Sequence, residues 1–351
     1  MSQVRIDLYS DTSSMPTEAM RQFMAAAPVG DEQRGEDPSV NKLEDMVATM
    51  LGKEKAVFLP SGTMCNQIAF AVHCHPGDVI LLDRTSHPLT SEAGGTAILA
   101  AATAYPVDGL SGMFTAQQVK ELILPFSRYR PTVRVVSIEQ TVNAPGGRIW
   151  PLGQLQEVCE TAHKQNVRTH MDGARLFNAA VASGISLAEY AAPMDSLWID
   201  LSKGLGAPVG AVLVGNEEFI REAWQWKQRI GGAMRQAGII AAAGIYALRN
   251  HVDRLSQDHR NAKLLARQIA QIPGLSINLD SVETNIIRFD ASELGISGVE
   301  FARRLENEEG VRISTPGTWL RAVTYLDISK EDVNTSAKAL KSLAKKIRSG
   351  N

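Results

Sequence analysis

The sequence predicts an α/β protein with a mostly parallel sheet, helices on both faces of it, and a smaller α+β domain at the C-terminus. Apolar runs of strand length alternate with stretches of helical periodicity between residues 56 and 214. Glycine and proline mark the turns between them, as at Pro76-Gly77, and an α+β pattern follows Pro273-Gly274. We therefore expect a large domain over 1–248 and a small domain over 249–351.

Two helices are predicted before the first strand. Pro16 begins a short helix that ends near Met24. Apolar residues between Val40 and Leu51 recur at helical spacing, which predicts a second helix there. The acid-rich segment 29–38 between the two helices is predicted to be a loop, either solvated or acting as a lid or an intersubunit contact.

Two strand–helix units follow these helices. Residues 56–60 form an apolar run, and the turn at 61–63 leads into a helix over 64–73. A second strand is predicted at 79–82, and His87 follows it in a polar loop that leads to another helix. The alternation of strand and helix predicts parallel neighbours in one sheet.

Later strands bring two further polar side chains to the ends of apolar runs. Strands are predicted at 133–139 and 167–171, and the second ends at Asp172, where open α/β sheets place their ligands. The apolar run that begins at Asp195 leads to Lys203, in a glycine-rich loop before the apolar residues 211–214. A partly desolvated lysine amine can attack a carbonyl group to form a Schiff base. The alternative is a turn whose lysine points to water.

The C-terminal part is predicted to contain two helices and then an α+β tail. The helices cover 237–248 and the residues up to about 272, with Pro273-Gly274 as the boundary. The remaining predicted elements are strands at 284–289, 311–314 and 320–325, and helices at 298–307 and 331–348.

Composition and charge are those of an ordinary globular protein. Hydrophobic residues make up 44% of the 351 residues and charged residues 21%. The formal net charge of −2 favours neither nucleic acid nor an anionic membrane as a partner. No apolar core of a signal peptide precedes Asp7, and no apolar run reaches the roughly 18 residues that span a bilayer. Cys65, Cys74 and Cys159 are too sparse for a disulfide framework or a zinc site, so we expect a cytoplasmic protein.

Four features together match what pyridoxal phosphate needs from a protein. The turn at 61–63 offers amide donors for a phosphate, and His87 offers a flat ring. Asp172 offers an anion for the pyridine nitrogen, and Lys203 offers an amine for the aldehyde. Each feature has an ordinary alternative, such as a helix N-cap or a structural histidine. Their combination predicts a cofactor site; we identify no cluster of metal ligands.

Longer segments resemble the low-specificity L-threonine aldolases of the β-eliminating lyase group, which are fold-type I pyridoxal-phosphate enzymes of the aspartate aminotransferase type. The matching strings include Asp172-Gly173-Ala174-Arg175 and span nearly the whole chain. They cover residues 7–8, 10–12, 35–38, 60–64, 172–179, 201–210, 234–238, 258–259 and 283–285. The resemblance implies a lyase that cleaves threonine, allo-threonine or a related β-hydroxy-α-amino acid to glycine and an aldehyde.

The resemblance also implies the roles of individual residues toward the cofactor. Lys203 forms the Schiff base, Asp172 pairs with the pyridine nitrogen, and His87 stacks on the ring. His87, directly or through water, is also the expected base for the β-hydroxyl proton. The residues implied to hold the phosphate are Ser61, Gly62, Thr63 and Arg235.

The implied substrate site and assembly involve other parts of the chain. Ser10, Arg175 and Arg321 are expected to bind the substrate carboxylate, with Arg175 also near the phenolic oxygen of the cofactor. Arginine suits this task because its planar fork binds a carboxylate through two parallel hydrogen bonds. Relatives form tetramers, as dimers of dimers, so a homotetramer is expected in which segment 1–28 contacts the partner subunit.

Several positions depart from the family pattern on the side that faces the substrate tail. Arg128 and Tyr129 stand where many relatives carry a histidine. The other departures are Tyr9, Gln33, Arg34, Gln140, Val142 and Tyr325. Two interpretations follow from them. Either water and His87 handle the β-hydroxyl in a divergent aldolase, or Arg34 or Arg128 meets a polar or acidic substrate tail.

Other chemistries and other classes of protein stay open at this level. Within one fold, altered distal residues could support β-elimination, decarboxylation or amino transfer. A nucleotide-binding module would use the loop 202–210, which lacks the spacing of a P-loop. A catalytically silent scaffold is opposed by the presence of Lys203, Asp172 and Arg321.

Overall fold

The computed structural model describes residues 4–316 and 319–350. Residues 1–3 of the predicted N-terminal segment, residues 317–318 and Asn351 of the predicted small domain lie outside the described residues. The strands, numbered along the chain, are β1 (Ile6–Asp7), β2 (Lys55–Leu59), β3 (Val79–Asp83), β4 (Thr103–Val107), β5 (Val133–Glu139), β6 (Arg168–Gly173), β7 (Ser196–Asp200), β8 (Ala211–Gly215), β9 (Ile286–Phe289), β10 (Val311–Arg312) and β11 (Leu320–Val323). The helices are α1 (Glu18–Ala25), α2 (Pro38–Leu51), α3 (Gly62–His73), α4 (His87–Thr90), α5 (Gly95–Leu99), α6 (Ala116–Leu122), α7 (Leu152–His163), α8 (Leu176–Ser183), α9 (Leu187–Ala191), α10 (Glu217–Arg229), α11 (Gly238–Asn250), α12 (Leu255–Ile269), α13 (Gly298–Glu309) and α14 (Lys330–Arg348).

A seven-stranded sheet forms the centre of the molecule, in the order β2-β8-β7-β6-β5-β3-β4. The pairs among β3, β4, β5, β6 and β7 are parallel, and β8 is antiparallel to both β7 and β2. One strand thus runs against the other six, and the prediction of a mostly parallel α/β sheet is confirmed. The carboxyl ends of the six co-directional strands meet at one edge, where open α/β sheets bind their ligands.

Burial explains why these apolar runs form the middle of the sheet. The strands β3, β7 and β8 are buried at every residue, as expected for strands covered on both faces. By contrast, β4 at one border of the sheet alternates between exposed and less exposed residues. The sequence analysis assigned no strand to β4 because this alternating pattern, interrupted by Pro106, is weak.

Two large apolar clusters hold the chain together. The first surrounds the central sheet and includes side chains from Met20 to Leu255. The second joins α12, α13 and α14 to the small strands, and it includes Ile6 and Leu8 near the N-terminus. The N-terminal strand β1 pairs in parallel with β10, so the start of the chain packs with its C-terminal part. A domain boundary at 248/249 stays a prediction.

Two further observations bear on the class of protein. Within residues 4–316 and 319–350, no helix combines the length and the apolar character needed to cross a bilayer. Cys65, Cys74 and Cys159 are buried, and each carries a free thiol.

Candidate active site

Lys203 lies in the loop between β7 and β8, at the carboxyl edge of the sheet. Its Nζ is 3.2 Å from Asp200 Oδ2, and only 19% of its side chain is exposed. The other Asp200 oxygen accepts hydrogen bonds from the Ser202 amide at 2.6 Å and hydroxyl at 2.7 Å. The Ser14 hydroxyl donates to the Lys203 carbonyl at 2.8 Å. Lys203 is therefore held in place and largely shielded from water, unlike a surface lysine.

Asp172 is the penultimate residue of β6, and its carboxylate is buried at the same edge. Oδ2 accepts a hydrogen bond from Asn66 Nδ2 at 2.9 Å, and Oδ1 accepts one from the Ala174 amide at 3.1 Å. Burial raises the pKa of this carboxyl, while the Lys203 ammonium and the Asn66 hydrogen bond oppose that rise. The structure thus brings the predicted amine and the predicted anion into one electrostatic environment.

The turn at 61–63 begins α3 beside the indole ring of Trp198, and this ring also lies near Lys203. The Ser61 hydroxyl accepts a hydrogen bond from the Met64 amide at 3.2 Å, so the residue is an N-cap. A Cβ atom on Gly62 would lie 2.1 Å from the Trp198 ring, so this close approach requires glycine. Lys203 Nζ lies 5.9 Å from the centroid of that ring. The first amides of the helix have no carbonyl one turn earlier, which suits an anion.

His87 begins the short helix α4 and is paired with a buried carboxylate. Its Nδ1 lies 2.9 Å from Glu92 Oε1, and its amide donates to Glu139 Oε2 at 3.0 Å. The hydrogen bond to Glu92 raises the pKa of His87. The His87 side chain is 41% exposed, whereas the Glu92 side chain is fully buried. The sequence analysis did not identify Glu92, because one acidic residue after a histidine is no signal by itself.

Three ligand-type atoms converge at this point. Donor atoms of His87, Glu92 and Asp172 lie within 4.8 Å of one another, an arrangement that could also hold a cation. The sequence analysis found no such cluster, since Asp172 is 80 positions from Glu92 along the chain. His87 and Asp172 are also the residues expected to contact the cofactor ring, so a cofactor site alone would explain why these atoms lie close together.

Arg175 and Asp11 form a buried ion pair next to this cluster. Arg175 donates from Nε and from Nη2 to the two oxygens of Asp11, each at 2.7 Å. Burial would raise the pKa of Asp11, but the charge and hydrogen bonds of Arg175 hold it well below its usual range. Ser10 donates to Asp11 at 3.4 Å, and Asn285 donates to it at 3.1 Å. The charge of Arg175 is therefore balanced within the chain.

Arg321 on β11 lacks such a balancing carboxylate. In the described part of the chain its guanidinium donates to three neutral oxygens, namely Ser314 Oγ at 2.9 Å, Asn143 Oδ1 at 3.0 Å and the Tyr9 carbonyl at 3.3 Å. Arg175 also donates to Asn143 Oδ1, at 3.4 Å, so one amide joins the two guanidinium groups. Burial lowers the pKa of Arg321, and the positive charge of Arg175 adds to this effect. Of the two arginines, Arg321 is the one whose described hydrogen-bond partners are all neutral, which would favour the approach of a substrate carboxylate.

Arg235 lies away from these groups in the single chain. Its side chain is 62% exposed and pairs with Asp31 at 2.9 Å. The Arg235 carbonyl accepts a hydrogen bond from the Glu32 amide at 2.9 Å, which ties this segment to the loop before α2. Its predicted contact with the cofactor phosphate stays a prediction.

Three of the departures from the family pattern have packing roles. The Tyr325 hydroxyl is partly buried and donates to the Asp7 carbonyl at 2.9 Å. Val142 is buried, and it packs so closely on Gly112 that an added Cβ there would lie 2.3 Å from it. The Gln140 side chain accepts a hydrogen bond from the Trp150 amide at 3.1 Å. These contacts stabilise the fold around the site.

Arg34 and Arg128 are not placed to meet a substrate bound in the same chain. Arg34 is 72% exposed and lies 3.7 Å from Asp31. Arg128 and Tyr129 precede β5, whose other end carries Glu139 at the candidate site. A strand of this length spans roughly 23 Å. Within one chain, the structure gives no support to the interpretation that either arginine binds a substrate tail.

Two histidines behind the site, His170 fully buried and His73 partly buried, predict a loss of stability in acid. Burial lowers the pKa of His73 to about 4 and that of His170 to about 3, whereas an unfolded histidine titrates near 6.5, roughly. Below that pH the unfolded chain binds more protons than the folded chain, so the free energy of unfolding falls as pH decreases toward about 4. The two rings therefore contribute a drop in Tm from about pH 7 to about pH 5. Burial raises the pKa values of Glu44 and Glu139 to about 7, and these two carboxyl groups oppose the drop.

The variants His73→Gln and His75→Gln test this prediction. His73→Gln removes one of the two titrating rings and should reduce this contribution to the drop in Tm between the two pH values. His75 is 80% exposed, so His75→Gln should leave the drop unchanged. Equal drops in the wild type and in both variants would contradict the assignment of the effect to His73.

Comparison with known proteins gives one consistent set of relatives. The sequence model of the family described as Beta-eliminating lyase matches residues 7–292. A low specificity L-threonine aldolase of Escherichia coli (strain K12) is 40% identical over 332 residues, which cover 93% of this chain and 96% of that protein. Low-specificity L-threonine aldolase 1 of Arabidopsis thaliana is 37% identical over 334 residues, covering 94% and 93%.

Solved structures with a similar fold are more distant in sequence. A putative L-allo-threonine aldolase from Listeria monocytogenes EGD-E has a TM-score of 0.78 at 22% identity and covers 97% of both chains. The Leishmania major threonine aldolase has a TM-score of 0.83 at 17% identity, covering 97% of this chain and 99% of that chain. A serine palmitoyltransferase from Sphingomonas wittichii has a TM-score of 0.74 at 18% identity, covering 98% and 88%. At these identities the likeness concerns the fold, and the fold class expected from the sequence is confirmed.

Proposed function

Because this chain belongs to the beta-eliminating lyase family, we propose that it is a pyridoxal-phosphate-dependent aldolase. It cleaves the Cα–Cβ bond of a β-hydroxy-α-amino acid, threonine or allo-threonine in the first instance, to glycine and an aldehyde. The observation that carries the proposal is the meeting of Lys203, Asp172 and the start of α3 at one edge of the sheet, around Trp198. The names of the relatives in Escherichia coli and Arabidopsis thaliana support the choice of substrate.

The residues at this edge fit pyridoxal phosphate. The close contact of Gly62 with Trp198 brings the start of α3 next to Lys203, so a phosphate held there would lie near the amine. Asp172 supplies a buried anion for the pyridine nitrogen, and the partly exposed His87 ring supplies a flat surface. When bound, the cofactor would supply an aldehyde for the lysine and an electron-withdrawing ring for the cleavage.

The substrate carboxylate would be held by Arg321. The partners of its guanidinium are neutral, so an incoming carboxylate gains a charge-assisted, bidentate contact. Arg175 and Asp11 form the rigid side of this pocket, and Asn143 connects the two arginines. Holding the carboxylate in a set direction also sets the direction of the Cα–Cβ bond, which lowers the barrier to its cleavage.

Replacing Arg321 with glutamine is expected to raise the KM for threonine by roughly thirtyfold, equivalent to about 2 kcal/mol, because a charge-assisted contact is lost. The kcat should change less, since the proton-transfer groups stay in place. Steady-state kinetics of aldehyde release measure both values. Arg288→Gln is the matched control, because Arg288 is the cross-strand partner of Arg321 on β9. An equal rise in KM in both variants would contradict the role of Arg321.

His87 would take the proton of the β-hydroxyl. Its Nδ1 faces Glu92, so a neutral imidazole carries its proton on Nδ1 and offers the lone pair of Nε2. The Glu92 carboxylate stabilises the ring after it accepts the proton, in the manner of a histidine–carboxylate pair. Glu92 itself is a positioning residue, because it acts through His87.

The direct test is to supply purified protein and pyridoxal phosphate with a panel of β-hydroxy amino acids. Aldehyde and glycine in equal amounts are the expected products. Ammonia and a keto acid would indicate β-elimination and overturn the proposal. The absence of turnover with every β-hydroxy amino acid, in protein that binds the cofactor, would overturn it as well.

We further propose that the protein is a cytoplasmic homotetramer. The resemblance to tetrameric aldolases supports the assembly, and the unpaired cysteines are in keeping with a reducing compartment. In this assembly the segment 1–28 would contact the partner subunit. Light scattering after size-exclusion chromatography measures the mass of the assembly, and a monomer in solution would overturn this part of the proposal.

A further inference from the structure

Asn66 on α3 connects four groups behind the candidate site. Its Nδ2 donates to Asp172 Oδ2 at 2.9 Å and to Glu92 Oε1 at 2.7 Å. Its Oδ1 accepts from Trp198 Nε1 at 2.6 Å and from His170 Nε2 at 3.1 Å. The side chain of Asn66 is fully buried, and these four partners use both of its N–H donors and both lone pairs of its oxygen.

The orientation of the Asn66 amide is fixed by chemistry. An indole N–H can only donate, so the atom that faces Trp198 is the carbonyl oxygen. A carboxylate can only accept, so the NH2 group faces Asp172. A reversed amide would leave a buried indole N–H and buried carboxylate oxygens without partners, which is costly.

This orientation determines the direction of every hydrogen bond farther from the site. Because Asn66 Oδ1 accepts, His170 Nε2 carries a hydrogen, and the Nδ1 of a neutral ring must accept. Ser196 Oγ lies 2.8 Å from His170 Nδ1 and therefore donates to it. His73 Nε2 lies 2.7 Å from the same hydroxyl and donates to it in turn. Burial lowers the pKa of both rings, which keeps them neutral at neutral pH.

The fold places these four residues in a line across the sheet. Asn66 and His73 are two turns apart on α3, so both project toward the same strands. His170 and Ser196 are register partners on β6 and β7, under that helix. His73 reaches a cavity of about 640 Å³ at the opposite edge of the sheet, and its ring stacks on Phe219 at 4.8 Å. The chain of hydrogen bonds therefore runs from the amino edge of the sheet to the site.

We propose that His73, Ser196, His170 and Asn66 form a directed hydrogen-bond chain that positions the two carboxylates of the site, Asp172 and Glu92. All four are positioning residues. The inference rests on the proposed function, in which Asp172 faces the cofactor and Glu92 holds His87. The chain aims one NH2 group at both carboxylates, which reduces the repulsion between two buried negative charges.

The direction of the chain can be tested without cofactor or substrate. The protein has seven histidines, and selective 15N labelling with NMR reports which ring nitrogen of each carries the hydrogen. We expect the Nε2–H tautomer for His170 and for His73 at neutral pH. An Nδ1–H tautomer at His170, or a doubly protonated ring there, would overturn the proposal. If the protein bound no pyridoxal phosphate, the proposed function would fail, whereas the histidine tautomers would still test the direction of the hydrogen-bond chain.

The effect on the site is tested by removing the middle of the chain. Ser196→Ala should raise the Kd for pyridoxal phosphate by roughly fivefold, the loss expected from one net hydrogen bond. It should also shift the pH midpoint of the bound cofactor's absorbance, because the hydrogen-bond chain that ends at Asp172 is interrupted. Ser196→Thr keeps the hydroxyl and should restore both values.

Ser137→Ala provides the matched control for a lost buried hydroxyl. Ser137 is buried and is the register partner of His170 on β5, the strand on the other side of β6 from β7. It does not belong to the hydrogen-bond chain. A purely structural effect would lower the Tm of both alanine variants and leave the Kd and the pH midpoint unchanged in both. That result, or an equal rise in Kd in both variants, would overturn the proposal.

Discussion

Replacing Lys203 with alanine is expected to abolish the covalent attachment of pyridoxal phosphate and to reduce aldehyde release by at least about a thousandfold. The amine of Lys203 lies at the sheet edge, 3.2 Å from Asp200 and 5.9 Å from the centroid of the Trp198 ring, and a primary amine forms a Schiff base with an aldehyde. Borohydride reduction followed by peptide mass analysis is the measurement. The peptide that contains residue 203 should carry the cofactor in the wild type and lack it in the variant.

Two controls separate the amine from the charge. Lys203→Arg keeps a cation beside Asp200 but removes the nucleophile, so it should be as inactive as the alanine variant. Lys55→Ala changes an exposed lysine on β2 and should behave like the wild type. A reduced adduct retained in Lys203→Ala, at any peptide, would show that another residue binds the cofactor and would remove the basis of the proposed function.

Replacing Asp172 with asparagine is expected to lower kcat by about a hundredfold or more, because a neutral amide cannot stabilise positive charge on the pyridine nitrogen. The change keeps the size of a fully buried side chain, so the fold should be preserved. It also replaces an acceptor of the Asn66 NH2 group with an amide. Kinetics of aldehyde release, per mole of bound cofactor, and the absorbance of the bound cofactor are the measurements.

Asp83→Asn is the matched control for this change. Asp83 is also buried and also ends a strand of the same sheet, β3, where it accepts hydrogen bonds from the amides of Thr85 and Gly109. We expect its variant to lose some stability and to keep kcat per bound cofactor. Similar losses of kcat in both variants would show that buried carboxylates at this edge act through the fold, and that Asp172 has no special relation to the cofactor.

Many elements around the central sheet were predictable because their signals are local. The helical spacing of residues 40–51 predicts α2, and the apolar runs at 79–82 and 133–139 predict β3 and β5. The reversed direction of β8 was not predictable, because an apolar run reads the same in either direction of the chain. The pairing of β1 with β10 joins residues at opposite ends of the chain, and a local pattern contains no information about such a contact.

Some residues of the candidate site were likewise predictable from the sequence, and others were not. Asp172 and Lys203 stand in long strings that resemble one family, so the sequence predicted them by number. The sequence analysis missed Asn66, Glu92 and His170, since a buried amide, a single acid and a mid-strand histidine resemble ordinary residues. The importance of Asn66 depends on partners far away along the chain, since Glu92 is 26 positions from it, Asp172 is 106 and Trp198 is 132.

By itself, the sequence determined the family and much of the strand–helix order, and it predicted the residues that we propose to bear the main chemistry, because residue type and spacing encode them. Only the tertiary structure decided how charge is distributed among those residues. It pairs Arg175 with Asp11, leaves Arg321 among neutral oxygens and places Arg128 at the far end of β5. The physical reason is that electrostatic interactions depend on distance and burial in space, and separation along the chain specifies neither.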